Sequence, residues 1–127
     1  MSYKVFISSA SKDIDLAQDL ARRLRNAGID VTPIDKSTVS SDTISSKIRR
    51  DLSQADEIFV ILTDESVNNS NLMFELGAAS SLRKRVTPVV VGMKPGDVPS
   101  LIKGLPYIKY PDLERYIARL GKRVKAA

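Results

Sequence analysis

Ile58-Phe59-Val60-Ile61-Leu62 is an unbroken apolar run, and it decides how the chain folds. A strand with one wet face alternates apolar and polar residues, whereas a continuous run rich in β-branched side chains suits a strand covered on both faces of a parallel sheet. Upstream, Val5-Phe6-Ile7 reads the same way, and downstream so does Val86-Thr87-Pro88-Val89-Val90-Val91. Helical periodicity fills the intervals. Ile14, Ala17, Leu20, Ala21 and Leu24 mark a first helix, which Gly28 ends. Ile44, Ile48 and Leu52 mark a second, capped by Ser41 or Asp42, and a third runs from about Ser70 to Lys84. Asp30 to Ile34 reads as a short strand that Pro33 places at an edge. Tyr107 to Tyr110 forms a weaker fifth strand, Leu113 to Leu120 begins a final helix, and a basic tail follows from about residue 121.

Alternation of strands and helices specifies an α/β domain with right-handed crossovers. The predicted fold is flavodoxin-like: a three-layer α/β/α arrangement around a five-stranded parallel sheet of order 2-1-3-4-5. At 127 residues the chain fits one domain, 1–127.

Composition removes whole classes of chemistry. Cysteine and histidine are both absent, which excludes disulfides, thiolate catalysis, a Ser-His-Asp triad and His- or Cys-ligated zinc. No metal site is expected. The glycines form neither G-x-G-x-x-G nor a Gly-Lys-Ser/Thr phosphate loop. No apolar run approaches the ~18 residues that span a bilayer, so a soluble, cytoplasmic protein without membrane contact is expected. The net charge of +5 is uneven: residues 1–80 carry 9 Lys/Arg against 12 Asp/Glu, and residues 81–127 carry 11 against 3. The basic residues lack interleaved aromatics for base stacking, so a solvated helix face is expected and nucleic acid is not.

One carboxylate breaks the helical pattern. In Ser70-Asn71-Leu72-Met73-Phe74-Glu75-Leu76-Gly77-Ala78-Ala79, Glu75 lies on the apolar arc shared by Leu72, Leu76 and Ala79. Burying a charge among methyl groups costs several kcal/mol unless it is paired or protonated, so such a residue is a site candidate. A first-turn position would return only about 0.3–1 kcal/mol through the helix dipole. Sheets of this order bind ligands outside the carboxyl ends of the strands, at the switch between the first and third. Ser8 to Asp13, including Ser8, Ser9 and Ser11, follows the first strand. Thr63 to Asn71, including Thr63, Ser70 and Asn71, follows the third. Both converge with Glu75 there.

These pieces together resemble the TIR (Toll/interleukin-1 receptor) domain in its bacterial form. The likeness rests on Val5-Phe6-Ile7-Ser8-Ser9-Ala10-Ser11-Lys12-Asp13, on Ala17, Leu20, Leu24 and Gly28, and on Ile34-Asp35. It continues through Ala55-Asp56-Glu57-Ile58-Phe59-Val60-Ile61-Leu62-Thr63, then Ser70 with Glu75, then Val86 to Val91. Many TIR domains cleave the nicotinamide–ribose bond of NAD+, and the resemblance puts the catalytic glutamate at Glu75. It also puts Ser9, Ser11 and Asp35 at the pocket, with NAD+ as substrate and no cofactor. By the same resemblance the Asp35 to Asp42 loop joins neighbouring TIR domains, so a homo-oligomer in an immune or signalling role is expected. The chain departs from the family where Asn71 stands at a position often held by Trp, and where that loop lacks Pro-Gly.

Bland roles compete for the same residues. Ser11 can cap the first helix, and Asp35 can close a turn through side chain to backbone bonding. Two other functions fit as well. The stretch from Asn71 to Ala79 with Lys84, Val86 and Pro88 also looks like nucleoside deoxyribosyltransferases, and a TIR module can act in protein–protein interaction without catalysis.

Overall fold

The three apolar runs become adjacent strands. The computed structural model describes residues 3–32, 53–64, 66, 84–98 and 104–126. Its strands are β1 (Lys4–Ser8), β2 (Asp30–Val31), β3 (Glu57–Leu62), β4 (Arg85–Val90) and β5 (Ile108–Lys109). All neighbours pair in parallel, in the order β2-β1-β3-β4-β5. This is the predicted flavodoxin-like sheet. In register, Phe6 lies beside Ile58 and Ile58 beside Val86.

Continuous runs conceal an alternation between two buried faces. Val5, Ile7, Phe59, Ile61 and Val89 point to one side, where they meet Ala17, Leu20, Ala21 and Leu24 of α1 (Ile14–Asn26) and Leu113, Ile117 and Leu120 of α2 (Leu113–Ala126). Phe6, Ile58, Val60, Leu62, Val86 and Val90 point to the other, with Ala55 and Val98. From Ile58 to Leu62 both faces of β3 are buried and apolar.

Pro88 sits inside this sheet at little cost. The Val91 N–H donates to the Leu62 carbonyl at 2.9 Å, so alternation turns the nitrogens of Val89 and Thr87 toward β3 and that of Pro88 toward β5. Because β5 first pairs at Val89, the missing donor falls where no ladder bond is made.

Gly28 ends α1 by a Schellman turn. Its φ is 83°, its N–H donates to the Arg25 carbonyl and that of Ile29 to the Leu24 carbonyl, each at 3.0 Å. Leu24 and Ile29 then pack in the same core.

Three expectations shift at their ends. Strand β2 is seen over Asp30–Val31, and residues 33 and 34 lie outside the described residues. Strand β5 is two residues rather than four, because Tyr110 already opens a 3-10 turn over Tyr110–Asp112. The basic segment from 121 is no tail: α2 continues to Ala126, with Val124 packed against the core one turn beyond Leu120. The predicted second helix, before its last turn at Ser53 and Gln54, and the predicted third helix lie outside the described residues.

Candidate active site

Adjacent parallel strands bring the two predicted loops together. Ser8 of β1 is in register with Val60 of β3, so β1 and β3 end side by side. Ser8 and Ser9 are both buried there, 0% and 1% exposed. Ser11 opens a 3-10 turn, Ser11–Asp13, that leads into α1. The helix's N-cap residue is Asp13, not Ser11, and Asp13 makes no side-chain cap bond.

The Asp13 carboxylate is turned across to the other loop. Although buried, it accepts a hydrogen bond from the Thr63 hydroxyl, 3.2 Å to Oδ2. Thr63 is tied in turn to Ser66: the Thr63 N–H donates to Ser66 Oγ at 2.9 Å, and the Ser66 N–H donates to Thr63 Oγ1 at 3.2 Å. The two hydroxyl oxygens are 3.1 Å apart. A threonine hydroxyl has one proton, so when Asp13 takes it, Ser66 supplies the proton of that last contact. The result is a closed polar knot in which each residue fixes the next.

Of the predicted site residues, Ser8, Ser9 and Thr63 are thus gathered at one end of the sheet, and Ser11 stands in the same loop. Glu75, Asp35, Ser70 and Asn71 lie outside the described residues, as does the Asp35 to Asp42 loop. Asp13 and Ser66 were given no role by the sequence reading. Asp13 carried a readable signal, being the acid that directly precedes the apolar face of α1. Ser66 carried none.

A second polar centre lies at the opposite end of β3. Glu57 is fully buried and accepts three hydroxyl donors: Tyr3 at 2.7 Å, Tyr116 at 2.6 Å and Thr87 at 2.5 Å. Burial, and then the bond to Glu57, raises the Tyr3 and Tyr116 hydroxyls above the ordinary tyrosine range. These donors leave the carboxylate satisfied, so it reads as a structural tie between β3, β4, α2 and the residue that precedes β1. A third cluster joins α1 to α2. Asp19 accepts from Tyr110 at 2.9 Å and pairs with Arg23 at 2.9 Å and with Arg22. Arg23 also reaches Glu114 at 2.7 Å and lies over the Tyr110 ring. Burial would raise the Asp19 carboxyl, but the bonds from Tyr110 and Arg22 and the nearby arginine charges outweigh it and hold it below its ordinary value.

A family model described as TIR domain matches residues 5–122. The chain belongs to the TIR domain family. Among solved structures, this TIR domain is similar to that of the Toll-related receptor TRR-2 from Hydra magnipapillata. The TM-score is 0.69 and the identity 18%, over 95% of this chain and 99% of that one. It is also similar to the CMP N-glycosidase BcmB of Clostridium botulinum, with a TM-score of 0.60 and 21% identity over 92% and 97% of the respective chains. At such identities these likenesses speak to the fold. No curated protein matches the chain. Among the described residues no helix of this TIR domain is long and apolar enough to cross a membrane.

Proposed function

We propose that this TIR domain is an NAD+ glycohydrolase that cleaves the nicotinamide–ribose bond, with Glu75 as its catalytic carboxylate and activity raised by self-association through the Asp35 to Asp42 loop. The observation that carries the reading is the buried polar knot of Asp13, Thr63 and Ser66 beside Ser8 and Ser9, at the carboxyl ends of adjacent parallel strands. In an open α/β sheet this end holds the ligand crevice. The knot fixes the start of the segment that leads, within the same connection, to Glu75.

The chemistry needs few groups. Heterolysis of the bond between C1' and the pyridinium nitrogen sends its electron pair to nicotinamide, which leaves neutral, and positive charge develops on the ribose ring. A preorganised carboxylate stabilises that charge and orients the sugar. Water then adds to C1' and loses a proton. No histidine or thiol is required, in keeping with a chain that has neither.

The likeness to a CMP N-glycosidase supports the same bond type on this fold and favours one alternative substrate class, a pyrimidine nucleotide. Concentrated protein incubated with NAD+ and, separately, with CMP distinguishes the two. Nicotinamide release without cytosine release is the expected result. Cytosine release alone reassigns the substrate, and release of neither from concentrated protein leaves the domain an interaction module.

A further inference from the structure

We infer that the cavity between β5 and α2 is a second ligand site, which takes a small phosphorylated molecule bearing at least two negative charges. It is a recess of about 390 Å³ lined by Tyr107, Lys109, Asp112, Arg115, Tyr116 and Arg119, among others, within the size range of small-molecule pockets. It is separate from the proposed active site. Strand β5 is three positions from β1 in the sheet, on the order of 14 Å at the usual strand spacing.

The charges face a common space without partners. Asp112, Arg115, Tyr116 and Arg119 recur at helical spacing and form one stripe, the last three on α2 and Asp112 in the turn before it. Lys109 joins them from β5. In the seam between α1 and α2, Arg22 and Arg23 pair with Asp19, and Arg23 also with Glu114. Lys109, Arg115 and Arg119, by contrast, form no ion pair or hydrogen bond with any described residue. Arg115 and Arg119 are like charges one helical turn apart, an arrangement that repels itself unless an anion lies between.

The floor of the recess is rigid. Tyr116 is held by its hydroxyl bond to Glu57 and by an edge contact with Phe59, ring centroids 5.9 Å apart. A fixed aromatic ring beside two arginines that line the same recess suits a phosphate or pyrophosphate group, which guanidinium forks bind in a bidentate manner. Asp112 opposes this charge, so the site holds three cations against one carboxylate. That balance selects a strongly charged anion over a weakly charged one.

Inorganic pyrophosphate is the probe, titrated into the protein while backbone amide resonances are followed at constant ionic strength. Saturable shifts centred on residues 107–119 are expected. Affinity should fall about tenfold or more in the Arg115→Gln, Arg119→Gln double variant and rise in Asp112→Asn. Because these side chains are exposed, the remaining resonances report that each variant is folded. Shifts that never saturate, shifts centred on Lys122, Arg123 and Lys125, or an unchanged affinity in the double variant would overturn the assignment. So would binding of a single-stranded oligonucleotide in place of pyrophosphate.

Discussion

The Thr63 hydroxyl donates to the buried Asp13 carboxylate across 3.2 Å, and this contact links the loop after β1 to the loop after β3. Thr63→Val keeps the side-chain shape and removes the donor. A buried carboxylate that loses its donor costs on the order of 1–3 kcal/mol, so the urea midpoint should fall accordingly. Thr63→Ser should restore most of the loss. If the knot also positions the loop toward Glu75, turnover in Thr63→Val should fall more than the loss of folded protein explains.

Glu57 ties three elements and the residue before β1 through three hydroxyls. Glu57→Leu would leave Tyr3, Thr87 and Tyr116 as buried or half-buried donors with no acceptor, and should destabilise by about 3 kcal/mol or more. Chemical denaturation of this variant against Thr87→Val, which removes one donor and should cost about 1 kcal/mol, checks the ranking.

The fold was legible because its central strands are apolar on both faces, a pattern that periodicity reveals directly. Strand order then followed from taking the β/α alternation as the flavodoxin-like doubly wound arrangement. Glu57 was not legible. Asp56 and Glu57 both precede the apolar run, yet Asp56 is exposed and Glu57 is fully buried. The hydroxyls that make the difference come from 54, 30 and 59 residues away. Long-range partners of this kind leave no trace in local pattern. Thr63 shows the same limit from the other side: the sequence placed it at the site, and only the structure shows its hydroxyl engaged with Asp13. The length of α2 could have been read, since Ile117, Leu120 and Val124 continue one helical stripe past the point where basic residues crowd.

Alkaline pH should unfold the protein through its tyrosines. Tyr3, Tyr110 and Tyr116 all have hydroxyls raised above the ordinary value of 10.0, by burial first and then by bonds to Glu57 or Asp19. A group raised in the folded state contributes stability that is intact below its unfolded value and is lost as pH climbs through the folded one. Stability should therefore hold up to about pH 10 and decline above it. Tyrosinate absorbance and circular dichroism followed together check this, with those three rings ionising only at or after loss of structure.

Gly28→Ala tests the turn that ends α1. No atom lies within 4 Å of the added Cβ, so the cost is conformational: the residue keeps φ near 83°, which disfavours an L side chain by about 1–2 kcal/mol. A denaturation midpoint lowered by that amount, with unchanged spectra, is expected.

The catalytic proposal rests on one carboxylate, and nicotinamide release from NAD+ by concentrated wild-type protein and by Glu75→Gln measures its role directly. Slow release by the wild type that the substitution abolishes, with both proteins equally folded, is the predicted result. Equal release from the two proteins would contradict the assignment of Glu75.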